Sequence, residues 1–217
     1  RPDSFDLIIV DEFHHAAARS YERVLRYFQP KFLLGITATP DRSDNKDVYA
    51  LCDGNVAYRI DFIEAVQRGW LAPFHYYGVY DDTDYSQIKW LGNRYDEEEL
   101  LQAQLREEMA EKILRAWETY KKTRTLVFCS SIRQADFLSD YFQRHGYRTV
   151  SLHSKQTDIP RQQAIAMLEH RELDAIFTVD LFNEGVDIPS VDTLLFVRPT
   201  ESLTIFTQQV GRGLRLY

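Results

Sequence analysis

The sequence has no excess of basic side chains. Its 217 residues include 26 lysine and arginine residues against 33 aspartate and glutamate residues, a formal net charge of −7 at pH 7. A net negative charge argues against a protein that coats nucleic acid through charge alone. It is compatible with a local basic groove, so binding of nucleic acid at a defined site stays open.

Cysteine is scarce in this chain. Cys52 and Cys129 are the two cysteines, and they lie far apart and outside any C-x-x-C arrangement. This spacing disfavours both a disulfide framework and a zinc site. Cys129 ends an apolar run, residues 126–129, which predicts a small buried side chain. From this cysteine usage we expect a reducing compartment, the cytoplasm.

Long hydrophobic runs are also missing. No apolar stretch reaches about 18 residues, so we expect neither a membrane span nor a membrane partner. The 44% of hydrophobic residues, with only 7 prolines and 9 glycines, exclude a disordered or linker-like chain. Residues 1–4 do not resemble a signal peptide, and no methionine starts the sequence. We therefore expect a piece of a longer protein.

Short apolar runs alternate with patterns of helical period. Tyr21, Val24, Leu25 and Phe28 have the spacing of one helix face. Ser131 suits the start of a helix, and Gly146 suits the position just past its end. The predicted strands are residues 5–10, 32–36, 56–60, 74–79, 125–129, 149–152, 175–179 and 193–197, with 56–60 and 74–79 the weakest. The predicted helices are residues 21–28, 63–68, 96–120, 131–145, a segment starting near 158, and 201–210.

Strands separated by helices predict parallel βαβ units with helices on both faces of the sheets. The expected fold class is α/β with doubly wound parallel sheets. We place a domain boundary near residues 70–73, with a first domain of residues 1–72 and a second of residues 73–217. Ligands of such sheets gather at the carboxyl ends of the strands, so the residues there are the candidates for function.

Two adjacent carboxylates, Asp11 and Glu12, follow the first predicted strand. Burying them is costly unless a positive charge balances them, and Mg²⁺ bound to a nucleotide would do so. One carboxylate can hold the ion while the other acts on an attacking water. Acidic residues also suit the first turn of a helix, so that interpretation stays open. His14 and His15 are adjacent, and neighbouring side chains diverge, which disfavours a metal site made from both.

Polar or basic residues follow other predicted elements. The hydroxyl groups of residues 37–39 can hydrogen-bond a neighbouring carboxylate, although an ordinary turn closed by Pro40 fits as well. Arg212 and Arg215 are three residues apart and share a helix face. Arginine forks bind phosphate oxygens and neutralise the charge that develops in phosphoryl transfer. A solvent-facing basic helix end is the alternative.

In their order along the chain, these segments resemble the motifs of superfamily-two helicases and nucleic-acid translocases of the D-E-x-H type. The resemblance extends from Ile8 to Arg215. The sequence of residues 11–15 and 34–42 is most similar to bacterial restriction-type and excision-repair-type motors. The matched segments are residues 11–14 for the second motif, 37–39 for the third, 126–130 for the fourth, 178–188 for the fifth and 208–215 for the sixth.

The resemblance implies RecA-like lobes, a partial first lobe and most of a second, with ATP and Mg²⁺ as cofactors. Asp11 would support Mg²⁺, and Glu12 would act on the hydrolytic water. Arg212 and Arg215 would reach the γ-phosphate, Arg215 as the arginine finger. The other implied roles are coupling for His14, Thr37, Thr39 and Gln208, nucleotide binding for Gly185 and Asp187, and contact with the nucleic-acid backbone for His153, Ser154 and Thr178.

One motif of the family is missing from these residues. Its P-loop, G-x-x-x-x-G-K-[ST], cradles phosphates and needs a Gly-Lys pair, and none of the nine glycines precedes a lysine. We therefore expect an upstream P-loop segment of the same protein to be a partner of this chain. We also expect the chain alone to hydrolyse ATP at background rates.

The expected function is part of an ATP-dependent DNA helicase or double-stranded DNA translocase, with nuclease or repair domains elsewhere in the protein. DNA is preferred over RNA on the resemblance alone. An alternative is a helicase-like module that binds nucleic acid or a partner without hydrolysis. The missing P-loop favours that module, whereas Glu12, Arg212 and Arg215 disfavour it. A metal-dependent hydrolase using Asp11, Glu12, His14 and His15 would leave the arginine pair unexplained.

Overall fold

The protein is represented by a computed structural model that divides into two compact units. The first unit is Arg1–Gly69 with Glu201–Gln208, and the second is Trp70–Thr200 with Gln209–Tyr217. The predicted assignment of residues 1–72 and 73–217 to two lobes stays a prediction. The structure describes residues 1–16, 18–38, 48–80, 84–92, 95–153, 159–179, 190–197, 206, 209–211, 213, 214 and 216.

The first unit contains a parallel two-stranded sheet. Strand β1 (Leu7–Val10) pairs with β2 (Phe32–Gly35), so that Leu7 lies opposite Phe32 and Val10 opposite Gly35. Helix α1 (Arg19–Tyr27) connects the two strands, as its apolar spacing predicts. Helix α2 (Phe62–Gln67) follows, and short 3-10 turns occur at Phe13–His15 and Tyr49–Cys52.

The second unit contains a four-stranded parallel sheet in the order β4-β5-β3-β6. Thr125, the first residue of β3, lies opposite Ala175 of β5 and Thr193 of β6, so the strands begin in register. The elements are α3 (Glu97–Gln104), α4 (Glu107–Tyr120), β3 (Thr125–Phe128), α5 (Ile132–Arg144), β4 (Thr149–Leu152), α6 (Arg161–Glu169), β5 (Ala175–Thr178) and β6 (Thr193–Phe196).

The core of the second unit lies on both faces of this sheet. Alternate residues of a strand point to opposite faces, and β3 divides its buried side chains in this way. Leu126 and Phe128 pack in one cluster with residues of α6. Val127 and Cys129 pack in another cluster with residues of α4 and α5. This arrangement confirms the predicted α/β class, with helices on both faces of a parallel sheet.

Local signals at the ends of α5 are also confirmed. The side chain of Ser131 accepts a hydrogen bond from the backbone N–H of Gln134, at 3.2 Å. Gly146 adopts φ 88°, the left-handed conformation that favours glycine just past a helix end. Cap chemistry therefore defines where this helix begins and ends.

The prediction of one helix over residues 96–120 is wrong. The side chain of Asp96 caps α3 by accepting from the N–H groups of Glu98 and Glu99. Arg106, with φ −80° and ψ 138°, then separates α3 from α4. The hydroxyl of Ser130 donates to Oε1 of Gln104 at 2.8 Å, which ties the end of α3 to the sheet. Helix α4 buries its own apolar face in the core of the second unit. This packing and the contact between Ser130 and Gln104 outweigh the local preference for one continuous helix.

The predicted strands at residues 56–60 and 74–79 are wrong as well. Neither segment pairs with another strand in the described part of the chain. Tyr58 and Tyr76 are 65% and 75% exposed, so their apolar pattern covers no core. A strand is stabilised by its ladder of backbone hydrogen bonds, and the described sheets include no ladder that involves either segment.

Two further helix predictions are only partly covered by the described residues. Helix α6 begins at Arg161 with Pro160 at its cap position, and the predicted start near residue 158 lies outside the described residues. Of residues 201–210, the structure describes Phe206, Gln209 and Val210, which are helical.

Among the described helices, none combines the length and apolarity that crossing a membrane requires.

Candidate nucleotide site

The turn that carries the two carboxylates has an unusual backbone. Glu12 adopts φ 48° and ψ 49°, a left-handed conformation that costs a residue with a side chain roughly 1–2 kcal/mol. The N–H of Glu12 donates to Oδ1 of Asp11 at 2.8 Å, which holds both residues directly after β1. Strained backbone of this kind is concentrated at functional sites. The turn therefore stays a strong candidate site.

Phe13 joins this turn to the end of β2. Its N–H donates to the carbonyl of Ile36 at 2.9 Å, and its ring is buried. The ring lies directly over Gly35, where an added Cβ would come within 2.4 Å of the ring carbon Cγ. A glycine at position 35 is therefore what lets the carboxylate turn approach the second strand.

His14 connects the two strand ends through its side chain. Its Nδ1 lies 2.9 Å from Oγ1 of Thr37 and 3.3 Å from Oε2 of Glu12. The His14 residue is only 4% exposed, whereas the Glu12 carboxylate is open to solvent. The structure thus brings together four predicted site residues of the first unit, Asp11, Glu12, His14 and Thr37.

The ligand atoms at this turn suit Mg²⁺ with a nucleotide. Within the described residues, no group of three or more His, Cys, Asp or Glu side chains could hold a metal ion. Zinc sites need three or four protein ligands. Mg²⁺ needs fewer, because it is commonly held by one or two carboxylates together with substrate phosphates and water. The carboxylates of Asp11 and Glu12 therefore fit a magnesium–nucleotide complex. They do not fit a metal site made by the protein alone.

The second unit has its own polar network at the carboxyl end of β3. The N–H of Ser130 donates to Oε1 of Gln134 at 2.8 Å. Nε2 of Gln134 donates to the carbonyl of Val197 at 3.1 Å, just after β6. With the bond from Ser130 to Gln104, these contacts join α3, α5 and two strand ends. Sequence reasoning missed both glutamines, because Ser130 is 26 residues from Gln104 and Val197 is 63 residues from Gln134.

Thr178 and His153 also lie at this edge of the sheet. Leu152, which precedes His153, is opposite Thr178 in the β4–β5 register. Thr178 is 0% exposed, and its hydroxyl has no hydrogen-bond partner among the described residues. Nε2 of His153 lies 3.5 Å from Oδ1 of Asp136. The proposed contacts of Thr178 and His153 with nucleic acid stay predictions.

The other predicted site residues lie outside the described residues. They are Thr39, Ser154, Gly185, Asp187, Gln208, Arg212 and Arg215. Their implied roles therefore stay predictions.

Parallel sheets flanked by helices, with an Asp-Glu-x-His turn at the end of a strand, define the α/β class with a RecA-like fold. The comparison with solved structures agrees with this class. The structure superimposes with a TM-score of 0.74 on a fragment of a protein assigned as the HsdR subunit of a type I restriction enzyme from Vibrio vulnificus. The two are 27% identical, and the match covers 100% of this chain and 41% of the other.

Sequence comparisons identify the family. The helicase conserved C-terminal domain matches residues 105–217, more than half of the chain, and the res subunit of type III restriction enzymes matches residues 1–42. The protein irc3 of Schizosaccharomyces pombe, assigned as a mitochondrial ATP-dependent helicase, is 30% identical over 100% of this chain. IRC3 of Saccharomyces cerevisiae, assigned as an ATP-dependent helicase, is 28% identical over 99% of this chain. The chain belongs to the superfamily-two helicases that carry the helicase conserved C-terminal domain.

The chain is much shorter than these relatives. It spans 37% of the Schizosaccharomyces pombe protein and 32% of the Saccharomyces cerevisiae protein. The activity of a whole protein that contains this chain is therefore a matter for proposal.

Proposed function

We propose that this chain is part of an ATP-dependent DNA helicase or double-stranded DNA translocase. The observation that carries this proposal is the 2.9 Å contact between His14 Nδ1 and Thr37 Oγ1. It joins the carboxylate turn, where hydrolysis would occur, to the end of the neighbouring strand. A change at the nucleotide can therefore reach a second element through one buried side chain.

Hydrolysis would depend on the two adjacent carboxylates. Asp11 would help to hold Mg²⁺, which neutralises charge on the phosphates of ATP. Glu12 would orient the attacking water and accept its proton, a role that requires access to solvent. The exposed carboxylate of Glu12 has this access, while its backbone is fixed by the bond to Asp11.

Coupling to movement would pass through His14 and Thr37. Nδ1 of His14 is within reach of both Glu12 and Thr37, so the imidazole can respond to the state of the carboxylate. In the same proposal Thr39 and Gln208 assist the coupling, and Gly185 and Asp187 bind the nucleotide. Arg212 and Arg215 stabilise the charge that develops on the γ-phosphate.

The surface of the first unit supports the presence of further strands in the whole protein. Leu7, Ile9 and Phe32 of the two-stranded sheet are 51%, 56% and 59% exposed. Large apolar side chains on a sheet face are normally covered by packing. We propose that a P-loop segment of the same protein completes this sheet and binds the phosphates.

DNA is the nucleic acid that we propose for this motor. Its support is the match of residues 1–42 to the res subunit of type III restriction enzymes and the structural match to a restriction-enzyme subunit. Ser154 and His153 would contact the phosphate backbone, which positions a strand without reading its sequence. Thr178 belongs to the same predicted set, and its side chain, which is 0% exposed, would have to be uncovered to join them. A nuclease or repair domain in the whole protein belongs to the same proposal.

The coupling role can be tested with Thr37→Ala in the longest protein that the gene encodes. This change removes the hydroxyl that contacts His14 and leaves both carboxylates in place. We expect ATP hydrolysis to continue while displacement of a triplex-forming strand from double-stranded DNA falls about tenfold or more. Thr37→Ser, which keeps the hydroxyl, is the matched control. Equal loss of hydrolysis and displacement in Thr37→Ala would contradict a coupling role.

The alternative is a helicase-like module that binds without hydrolysis, and it is favoured by the lack of a Gly-Lys pair in these residues. The two proposals differ in how nucleic-acid binding depends on nucleotide. A motor changes its DNA affinity when a non-hydrolysable ATP analogue is added, because its lobes close around the nucleotide. A passive module binds DNA equally with and without the analogue, and a filter-binding titration distinguishes the two.

A further inference from the structure

A basic pocket lies at the amino edge of the sheet in the second unit, at the opposite ends of the strands from Ser130 and Thr178. Its volume is about 240 Å³. Its walls come from the segments that precede three neighbouring strands, β3, β4 and β5. The basic lining residues are Lys121, Lys122, Arg148 and Arg171, and the acidic one is Asp174.

The charges of this pocket do not balance. Nη2 and Nε of Arg148 donate to the carboxylate of Asp174 at 2.8 and 3.2 Å. This fork pairs one arginine with the one acidic lining residue. In the part of the chain that the structure describes, Lys122 and Arg171 make no ion pair. The lining side chains thus comprise four cations and one carboxylate, and Glu172, outside the lining, also acts electrostatically on Arg148.

The backbone that presents the lysines is fixed by Asp192. Its carboxylate accepts from the N–H of Thr123 at 3.0 Å and from the N–H of Arg124 at 2.9 Å. The adjacent Thr193 accepts from the N–H of Lys122 through its hydroxyl, at 2.9 Å. The segment that carries Lys121 and Lys122 is thus held before any ligand arrives, which lowers the entropy lost on binding.

Two of these four cations are positioned in unusual ways. The ammonium of Lys121 lies 4.6 Å from the centre of the Trp117 ring, and Trp117 lines the same pocket. Arg171 adopts φ 60°, a left-handed conformation that is uncommon for a residue with a side chain. This backbone lies in the short connection between α6 and β5, where it places Arg171 in the pocket wall.

We propose that this pocket binds a phosphate-bearing anion, supplied either by the backbone of a nucleic acid or by a free oligophosphate. Arginine and lysine side chains that converge from three segments suit an anion with several oxygens. The pocket lies at the opposite edge of the second unit's sheet from Ser130 and Thr178, and the proposal does not depend on ATP hydrolysis.

Fluorescence of Trp117 offers a readout specific to this pocket. The chain has three tryptophans, and Trp70 and Trp90 are exposed, so Trp70→Phe with Trp90→Phe leaves Trp117 as the sole reporter. Sodium pyrophosphate and a single-stranded oligonucleotide are titrated separately into the 217-residue chain. We expect a saturable change in emission as the bound anion draws Lys121 away from the Trp117 ring.

Paired variants then test the cations. Lys122→Ala with Arg171→Ala should weaken the apparent affinity about tenfold or more, because it removes two charge-assisted contacts. Arg23→Ala with Arg115→Ala removes the same charge from exposed helix positions and should leave the affinity unchanged. A response to pyrophosphate identifies a free anion as a source, and a response to the oligonucleotide identifies a nucleic acid. No saturable response to either ligand, or equal affinity in the two double variants, would overturn the proposal.

Discussion

Single residues determine how the carboxylate turn meets the second strand. The absent side chain of Gly35 lets the Phe13 ring approach, and the buried imidazole of His14 then reaches Thr37. The polar side chains at these strand ends could be identified from sequence, because ligands gather at the carboxyl ends of parallel strands. The role of Gly35 could not be identified from sequence, because it depends on a contact with Phe13, which is far from Gly35 in the chain.

Gly35→Ala should destabilise the protein. The new Cβ would lie 2.4–2.6 Å from atoms of the Phe13 ring, so the ring or the strand must move. We expect the free energy of unfolding to fall by about 1–3 kcal/mol, the usual cost of overpacking, in urea denaturation. Gly78→Ala is the matched control, because its nearest neighbour would be 3.9 Å away. Equal stability of the two variants would show that the contact is not tight.

The buried glutamines show another limit of sequence reasoning at this scale. Gln134 satisfies the N–H of Ser130 and the carbonyl of Val197 at once. The residues around position 134 do not indicate the bond to Val197, because Ser130 and Val197 become neighbours only when β3 and β6 pair. A polar residue on an apolar helix face is the one available signal, and it does not identify the partner.

The elements of the second unit illustrate which local signals suffice. Ser131 and Gly146 predict the ends of α5 correctly, because each acts on backbone groups within a few residues. The break at Arg106 escaped prediction, because tertiary contacts end α3. Residues 74–79 have the apolar content of a strand, but they belong to neither of the sheets that the structure describes.

One buried hydrogen bond should contribute strongly to the packing of α4 on β3. Nε1 of Trp117 donates to the hydroxyl of Thr125 at 2.8 Å in the core. Thr125→Val keeps the shape but leaves the indole N–H buried without this acceptor. We expect a loss of about 1–3 kcal/mol in the free energy of unfolding, measured by urea denaturation. Thr125→Ser retains the hydroxyl and should lose less. A smaller loss in Thr125→Val than in Thr125→Ser would contradict this interpretation.

For the whole molecule, Asp192 links stability to pH. Burial raises the pKa of Asp192, but hydrogen bonds from the Thr123 hydroxyl and from the N–H groups of Arg124 and Thr123 outweigh it and lower the pKa overall. The native pKa is therefore below the unfolded value of about 3.9. The resulting stabilisation is present above that value and is lost as the pH falls through the native pKa.

Asp192→Asn should remove this part of the pH dependence. We expect the variant to be less stable than the parent at pH 7 and to lose less stability than the parent as the pH falls below about 4. Urea denaturation at a series of pH values measures both effects. Asp3→Asn, at an exposed position, should follow the parent throughout. Parallel pH profiles for Asp192→Asn and the parent would contradict the assigned role.

The fold class and the helicase family were both predictable for the whole molecule. Alternation of strands and helices indicates the α/β class, and the ordered motifs indicate the family. The basic pocket was not predictable, because Lys122, Arg148 and Arg171 are scattered in sequence. Only the parallel strand order brings the segments before β3, β4 and β5 together.

The most direct test of the proposed motor is ATP hydrolysis by the longest protein that the gene encodes, with and without double-stranded DNA. Glu12→Gln is measured beside it, because glutamine keeps the shape of Glu12 and cannot accept the proton of the attacking water. We expect DNA to stimulate hydrolysis in the parent, and Glu12→Gln to lower the rate by about a hundredfold or more. Absence of hydrolysis with any nucleic acid, or an unchanged rate in Glu12→Gln, would contradict the account.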